Sequence, residues 1–462
     1  MAMLIKNGAF ATASDVFRGD LRIEEGKITQ IGCAITPNAG EELIDAQGLW
    51  VLPGGVDVHT HMDLDVGIAR STDDFYTGTV AAACGGTTTI VDHMAFGPKG
   101  CPLHHQVDVY HKLADDKAVI DYGLHGVIQH VDDGILSEME TLIQAGITSY
   151  KFYLTYGFKL SDYEAFRVLQ RGKELGLMMT VHPENDGVVS CLRDEFSKNG
   201  LTTPHYHLKS RPLECEAEAI NRMLLFAHMA GDAPLYIVHL SNGLGLSYVE
   251  QARERGQKDV YAETCPQYLF LDDSRYDLPI NEALKYIMSP PLRPKENNEL
   301  LWAGIEHGVF DTIATDHCPF FLSREKQLGK DDFTKCPNGV PGVEARLALI
   351  FSEGVSKGRI SINRFVDLCA ARPAKLFGLY PQKGTIAVGS DADLVFFDPN
   401  KKVTLTKSLL HENVDYTPYE GMALTGFPVM TISRGEVIAK NGAFLGKKGR
   451  GRFIKRTLFQ RP

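Results

Sequence analysis

Two histidines separated by one residue, His59 and His61, could bind a metal ion together. They stand in the segment Val56-Asp57-Val58-His59-Thr60-His61, which has the apolar pattern of a strand. Residues two apart in a strand point to the same side, so both imidazoles can reach one ion. The preceding Pro53-Gly54-Gly55 marks a break in the chain, after which this strand begins.

Other short apolar segments also end in residues that could ligate a metal. Taken singly, each has an ordinary structural explanation. A histidine could be buried in the core with its hydrogen bonds made there, and an aspartate could cap a helix. Their repeated placement at strand ends predicts one shared centre, and neutral nitrogens with a carboxylate suit zinc or a similar divalent ion. These residues are His182, His239 and Asp316.

Lys151 lies inside the apolar segment Ser149-Tyr150-Lys151-Phe152-Tyr153. Burying its ammonium group is costly unless the charge is removed or paired. A desolvated lysine can lose its proton and react with carbon dioxide, which gives an anionic carbamate able to bridge two ions. Spacing alone does not decide between this modification and an ordinary paired lysine.

A second histidine pair, His205-Tyr206-His207, offers a comparison within the same chain. It follows Thr202-Thr203-Pro204 in a polar, turn-rich stretch rather than closing an apolar strand. We interpret this pair as a surface or capping feature without a role in chemistry.

The elements that must position these residues follow an α/β pattern. Alternating strands fill the first fifty residues, and short apolar strands then alternate with helical patterns over more than 250 residues, which favours a (β/α)₈ TIM barrel. Strand patterns return near Gly384, so both termini are expected to build one small β-sandwich. The predicted divisions are residues 1–53 and 384–446 for the sandwich, 54–383 for the barrel, and 447–462 for a basic and apolar tail.

Composition excludes several classes of protein. A net charge of -10 argues against a general nucleic-acid binder, and no apolar segment approaches the length of a membrane span. Nine cysteines without paired spacing, and no signal sequence at the start, predict a cytoplasmic protein with reduced thiols. The basic tail could be a nucleic-acid arm, but its interspersed Phe453, Ile454, Leu458 and Phe459 favour packing.

An ordered series of motifs resembles the cyclic amidohydrolases of the hydantoinase and dihydropyrimidinase type, most closely their bacterial D-phenylhydantoinase branch. The resemblance covers essentially the whole chain. Its motifs are PGGVDVHTH at 53–61, YKFYLTY at 150–156, VHPEN at 181–185, IVHLS at 237–241, MSPPLR at 288–293, ATDHCPF at 314–320 and NGVPGVE at 338–344.

The resemblance implies a distorted barrel that holds two divalent ions, zinc or else manganese or cobalt. One ion would be held by His59, His61, Asp316 and a carboxylated Lys151 (N6-carboxylysine). The other would be held by the same carbamate with His182 and His239. A hydroxide between the ions would attack a ring amide carbonyl.

The resemblance also implies roles for residues that contact the substrate. Tyr156 would donate a hydrogen bond to the developing oxyanion, and Asp316 would carry a proton to the leaving ring nitrogen. Ser289 and Asn338 would anchor the edge of the cyclic ureide or imide.

Selectivity for the ring substituent would fall to gate loops, where Val66, Tyr153 and Leu160 match the family's gate positions. Leu64 and Phe158 are neighbours that could contribute. The chain departs from common family patterns at Pro183, which follows a ligand, and at His93, where an aromatic residue is more usual. These departures affect the pocket rather than the ligand set.

The function expected from the resemblance is ring opening of 5-monosubstituted hydantoins, especially aryl hydantoins, to N-carbamoyl amino acids with D-selectivity. Dihydropyrimidinase and allantoinase activities share the metals and remain alternatives. A non-catalytic assembly protein of the same fold is a further alternative, which the complete ligand set opposes. The family also implies a homotetramer in which the C-terminal tail contacts a neighbouring subunit.

Overall fold

The computed structural model describes residues 2–462 and starts with strands from the alternating N-terminal segment. In the second of them the buried Leu21 and Ile23 alternate with the partly exposed Arg22 and Glu24, as a half-exposed sheet requires. The strands are β1 (Met3–Ala11), β2 (Val16–Glu24), β3 (Lys27–Gly32), β4 (Glu42–Asp45) and β5 (Trp50–Pro53).

Eight parallel strands follow, each paired with the next one along the chain. Their residues are buried on both faces, which explains the continuous apolar runs in the sequence. The strands are β6 (Gly55–Thr60), β7 (Thr87–His93), β8 (Asp121–Val127), β9 (Ser149–Tyr153), β10 (Met178–His182), β11 (Leu235–Ile237), β12 (Val260–Thr264) and β13 (Thr312–Ile313).

The sheet closes into a barrel between its first and last strands. A bridge joins Thr60 to His317, and the His61 amide donates to the His317 carbonyl at 2.9 Å. The fully buried Arg346 donates to the carbonyls of Val56 and Ile313 at 3.1 and 2.8 Å. The predicted (β/α)₈ barrel is therefore confirmed.

Helices cover the outside of the barrel and connect its strands. They are α1 (Thr77–Cys84), α2 (Leu103–Ala114), α3 (Asp133–Thr141), α4 (Asp162–Leu175), α5 (Asp186–Lys198), α6 (His205–Lys209), α7 (Leu213–Met229), α8 (Gly243–Glu254), α9 (Pro266–Phe270), α10 (Ile280–Ala283), α11 (Glu296–Glu306), α12 (Arg346–Ile350), α13 (Ile362–Val366) and α14 (Arg372–Leu376).

Helix α4 illustrates how local sequence sets these boundaries. The Ser161 side chain accepts from the Glu164 amide, while the Glu164 carboxylate accepts from the Ser161 amide, which is a capping box. Gly176 ends the helix at φ 68°, a left-handed conformation that glycine adopts without steric cost. The fixed start of α4 holds the end of the loop that leaves β9.

Both ends of the chain share one nine-stranded sheet through β14 (Leu394–Thr404), β15 (Ala423–Ser433), β16 (Glu436–Lys440) and β17 (Ala443–Phe444). Strand β14 pairs antiparallel with β5. The Ala392 amide donates to the Gly26 carbonyl at 2.8 Å and its carbonyl accepts from the Gly435 amide at 3.0 Å, which ties distant turns together. The sheet folds around its own apolar core, including Phe10 and Phe396, as predicted for the termini. The division at residues 53, 383 and 446 stays a proposal.

The C-terminal tail packs against the N-terminal end of its own barrel. Tyr122 exchanges backbone hydrogen bonds with Arg452 and Ile454, at 3.0 and 2.8 Å. Arg456 is 3% exposed and donates to the Leu124 carbonyl at 2.5 Å. These intrachain contacts account for the apolar residues of the tail, and the predicted contact with a neighbouring subunit stays a prediction.

Within residues 2–462, no helix is both long enough and apolar enough to cross a membrane.

Candidate active site

Six residues predicted as metal ligands converge at the C-terminal ends of the barrel strands. Parallel strands bring their carboxyl ends to one rim, so residues far apart in sequence meet there. All six line a single cavity of about 240 Å³. They are His59, His61, Lys151, His182, His239 and Asp316.

Three of these residues have the spacing of ligands around one ion. The Oδ1 atom of Asp316 lies 3.1 Å from His59 Nε2 and 3.0 Å from His61 Nε2. Two donors that each lie about 2.0–2.1 Å from zinc are about 3 Å apart when they subtend a right angle. His59 Nε2 is buried and has no hydrogen-bond partner among the described residues. The donor set therefore fits a divalent ion.

A second pair of nitrogens faces the same cavity. His239 Nε2 lies 2.9 Å from His182 Nδ1, so one ion can contact both rings. The opposite nitrogen of His182, Nε2, donates to Glu184 Oε2 at 2.7 Å, which fixes the ring so that Nδ1 is free to ligate.

Glu184 is a supporting residue for which we made no sequence prediction. Its carboxylate also accepts from Arg211 Nη1 at 2.5 Å, and both side chains are buried. Although burial opposes it, the charge of Arg211 and the hydrogen bond from His182 hold the pKa of Glu184 below its usual range. The carboxylate thus stays ionised as it orients the histidine. Glu184 lies within the motif VHPEN at 181–185, which draws attention to it. Its partner Arg211 is distant in sequence, so the ion pair is visible only in the structure.

Lys151 projects into this cavity from β9 and is 1% exposed. Burial lowers its pKa to about 8, with the carboxylates of Asp316 and Glu263 opposing the shift. A much larger fraction of neutral amine is therefore present near neutral pH than for an ordinary lysine. The neutral amine is the form that reacts with carbon dioxide.

Three site residues adopt left-handed backbone conformations that the sequence does not reveal. The φ angles are 39° for His239, 53° for Asp316 and 73° for Tyr156. Such conformations cost free energy in residues other than glycine and recur at functional sites, where the surrounding structure enforces them. Each of these residues lies two or three positions beyond the end of a barrel strand, where the chain turns its side chain into the cavity.

Tyr156, Ser289 and Asn338 line the cavity together with the histidines. Burial raises the pKa of Tyr156, so its phenol keeps a proton that it can donate. Ser289 Oγ is buried without a hydrogen-bond partner among the described residues. The arrangement offers a polar bound molecule both a donor and an unused hydroxyl.

The outer part of the cavity is apolar and aromatic. Phe96 and Phe158 have ring centroids 3.7 Å apart, and Tyr153 lies 5.0 Å from Phe158. Val66, Tyr153, Leu64 and Phe158 line the cavity, and their role as a gate for the ring substituent stays a prediction. Phe96, Ile68 and Arg193 also line it, and we had no sequence prediction for them.

Leu160 requires a correction. It is 4% exposed and belongs to the main hydrophobic core, and it is absent from the cavity lining formed by the described residues. Its amide donates to the Tyr153 carbonyl at 2.9 Å, which returns the loop to the barrel wall and turns the Leu160 side chain into the core.

The His205 and His207 pair lies apart from the cavity lining. His205 is paired with Asp277 at 2.8 Å. His207 is buried and its Nε2 donates to the Met288 carbonyl at 2.7 Å, so it is a core histidine rather than the expected surface residue.

Comparison with known proteins gives concordant matches along the chain. The model of the amidohydrolase family matches residues 50–438. A D-phenylhydantoinase of Escherichia coli O1:K1 / APEC is 54% identical over 462 residues, the whole of both chains. The crystal structure of dihydropyrimidinase from Brevibacillus agri NCHU1002 superimposes with a TM-score of 0.98, at 45% identity over the whole of both chains. A D-hydantoinase from a Bacillus sp. AR9 gives 0.97, at 46% identity over 99% of this chain and 100% of the other.

Proposed function

Since the chain belongs to the amidohydrolase family, we propose that it hydrolyses the ring amide of 5-monosubstituted hydantoins, especially aryl hydantoins, to N-carbamoyl amino acids. The observation that carries the proposal is one cavity with six potential metal ligands at its base and aromatic side chains at its mouth. D-selectivity is part of the proposal, and it rests on the names of the relatives.

We propose that two divalent ions occupy the base of the cavity. His59, His61 and Asp316 would hold one ion, and His182 and His239 the other, with carboxylated Lys151 between them. When bound, the ions would supply an acidified water as nucleophile and would polarise the ring carbonyl. Within each set the donor atoms lie about 3 Å apart, which supports this assignment. Zinc suits the set, and manganese or cobalt are alternatives.

Tyr156, Asp316, Ser289 and Asn338 would act directly on the substrate. The protonated Tyr156 phenol would donate to the oxygen that gains charge as the ring carbonyl is attacked. Asp316, an acceptor when ionised, would take a proton and transfer it to the leaving ring nitrogen. Ser289 and Asn338 would hold the ureide edge, and the unpartnered Ser289 hydroxyl supports a polar ligand there.

The apolar mouth of the cavity favours a substrate with an aromatic substituent. Phe96, Phe158 and Tyr153 present ring faces and edges, and aromatic contacts of this kind add about 0.5–1.5 kcal/mol beyond simple burial. An unsubstituted dihydropyrimidine would leave these rings unused. Dihydropyrimidinase activity is nevertheless the second candidate, because a structural neighbour carries that name at 45% identity.

We also propose that the enzyme is a homotetramer in the cytoplasm. All nine cysteines in the described residues are free thiols, which supports a reducing compartment. The whole-length match to enzymes of one type supports an assembly similar to theirs.

The function is tested with purified protein reconstituted with Zn²⁺, Mn²⁺ or Co²⁺ in the presence of bicarbonate. Initial rates are measured on D- and L-5-phenylhydantoin, dihydrouracil and allantoin, with Lys151→Ala as the blank. We expect D-5-phenylhydantoin to be hydrolysed fastest and the blank to lose at least about 10³-fold, because the bridging anion is missing. A preference for dihydrouracil would show that the enzyme acts in pyrimidine breakdown instead. Inactivity on every ring despite two bound ions would refute the substrate class.

A further inference from the structure

Arg193 places a positive charge in the wall of the cavity, from a position on helix α5. It follows the buried Val189 by one helical turn, so both side chains turn to the inward face of the helix. Burial lowers the pKa of the Arg193 guanidinium, but arginine keeps its charge at neutral pH. Holding a cation in this place costs free energy of solvation, which a partner of opposite charge would offset.

The guanidinium of Arg193 has no hydrogen-bond or ion-pair partner among the described residues. Two carboxylates, Asp186 and Asp332, influence it only through their charges. Each of them already has another donor. Asp186 pairs with Lys159 Nζ at 2.5 Å, and Asp332 accepts from the Thr334 hydroxyl at 2.7 Å.

Two fully buried arginines of the same barrel show the pairing that Arg193 lacks. Arg211 donates to the carboxylate of Glu184 at 2.5 Å. Arg293 donates to the carboxylate of Glu216 at 2.9 Å. A carboxylate matches the planar donors of a guanidinium, and such charged hydrogen bonds are stronger than neutral ones. A carboxylate that enters the cavity would therefore be a suitable partner for Arg193.

The hydantoin ring does not supply this anion. The ring is uncharged at neutral pH, and its polar edge is met by Tyr156, Ser289 and Asn338 in the proposed function. The carboxylate that ring opening creates forms at the base of the cavity, beside the proposed ions. The ring substituent is the remaining part of the substrate, and Arg193 lines the same cavity as the aromatic Phe158.

We propose that Arg193 is a specificity residue that binds a carboxylate at the end of the ring substituent, an inference that rests on the proposed hydantoinase function. The favoured substrates are then hydantoins whose 5-substituent has an apolar stem and an acidic end. This contact lies away from the ring amide that is cleaved, so it holds the ground state and the transition state equally. It lowers KM and leaves kcat nearly unchanged.

The test compares two matched pairs of racemic substrates on the metal-reconstituted wild-type enzyme. One pair is 5-(4-carboxyphenyl)hydantoin and its uncharged 4-carbamoylphenyl analogue. The other pair is 5-(2-carboxyethyl)hydantoin and its 2-carbamoylethyl analogue. In at least one pair we expect KM to be about 10-fold lower for the acid than for the amide, and the difference should shrink as salt is added. Equal KM values within both pairs would overturn the proposal.

Two variants separate the charge of Arg193 from its paired donors. Arg193→Gln removes the charge and keeps a hydrogen-bond donor, while Arg193→Lys keeps the charge without the planar fork. We expect KM for the preferred acid to rise about 10-fold in Arg193→Gln and less in Arg193→Lys. KM for the amide should stay within about threefold of wild type, and its turnover shows in the same sample that the variant is folded.

Lys198→Gln is the matched control, because it removes one positive charge from an exposed position at the end of the same helix. We expect it to leave KM for the acid and for the amide as in wild type. Equal losses on acid and amide in Arg193→Gln would assign Arg193 a structural role and overturn the proposal. If wild type with two bound ions opens none of these rings and does not open 5-phenylhydantoin, the hydantoinase function itself fails. If it opens the uncharged rings without preferring the acids, only the role of Arg193 fails.

Discussion

The Nδ1 atom of His59 lies 2.6 Å from Oε1 of Glu263, and both side chains are buried. The same carboxylate oxygen accepts from the His239 amide at 2.9 Å, and Oε2 accepts from the Tyr236 hydroxyl at 2.8 Å. Glu263 thus orients ligands from both predicted ion sites at once. It leaves Nε2 of His59 directed at Asp316 and the cavity.

We expect Glu263→Gln to weaken metal binding at the His59 site by about 10–100-fold, because the amide is a poorer acceptor and does not enforce the tautomer. Isothermal titration of the metal-free protein with Zn²⁺ measures this change. Glu216→Gln is the control, since Glu216 is a buried carboxylate that contacts Arg293 and Ser241 away from the cavity lining. Equal Zn²⁺ affinity in wild type and Glu263→Gln would contradict the positioning role.

The carboxylation of Lys151 should depend on pH. Burial lowers the pKa of this lysine to about 8. The fraction of molecules with a neutral amine therefore rises about tenfold per pH unit below pH 8, and nearly all of them carry a neutral amine above pH 9. At a fixed concentration of dissolved carbon dioxide, the rate of carbamate formation in the metal-free protein should rise between pH 6 and 8 and then level off. Carbon-13 NMR with labelled carbon dioxide follows the carbamate signal, and Lys151→Ala gives the background. A rate that still rises tenfold per unit above pH 9 would show an ordinary lysine.

The aromatic mouth of the cavity should determine the preference for aryl substituents. We expect Phe158→Ala to lower kcat/KM for 5-phenylhydantoin by about 3–10-fold. Phe158 lines the cavity, and a contact between its ring and an aryl substituent would be worth about 0.5–1.5 kcal/mol. The rate on unsubstituted hydantoin should change less than twofold. Leu160→Val serves as a nearby control, because Leu160 lies in the core. Equal losses on both substrates would assign Phe158 a structural role only.

Arg346 should be essential for closure of the barrel. It is fully buried, donates to the carbonyls of Val56 and Ile313, and lies 3.8 Å from Asp57. Arg346→Ala would remove the donor to two carbonyls and the buried positive charge beside the Asp57 carboxylate, between the first and last barrel strands. We expect the free energy of unfolding to fall by about 3–5 kcal/mol, measured by denaturant titration. The exposed Arg324→Ala should change it by less than about 0.5 kcal/mol.

The C-terminal tail should stabilise its own barrel in addition to any role in assembly. Truncation after Gly446 removes Arg456, which donates to the Leu124 carbonyl and to Ser149. We expect a lower melting temperature and weaker assembly, by calorimetry and light scattering. In full-length Arg456→Gln the melting temperature should fall while the assembly is retained. A truncated protein that melts and assembles as wild type would refute both roles.

The sequence by itself determined the fold class and the family, and it predicted which residues gather at the site. Apolar runs buried on both faces identify parallel barrel strands, and His59, His61, His182, His239 and Asp316 stand at or beside their ends, where a barrel must gather them. The family and the barrel were thus predictable, because periodicity and motif order are local properties of the chain.

Only the tertiary structure determined which side chains support the ligands. Glu263 contacts His59, and His93 contacts His59 and His125, although these partners are more than thirty residues away in sequence. Glu184 contacts the nearby His182 and the more distant Arg211. Leu160 shows the same limit. The sequence predicts it as a gate residue, but its amide donates to the Tyr153 carbonyl and its side chain packs in the core. A single sequence specifies residue types and strand ends, but the direction of a loop side chain depends on packing that long-range contacts complete.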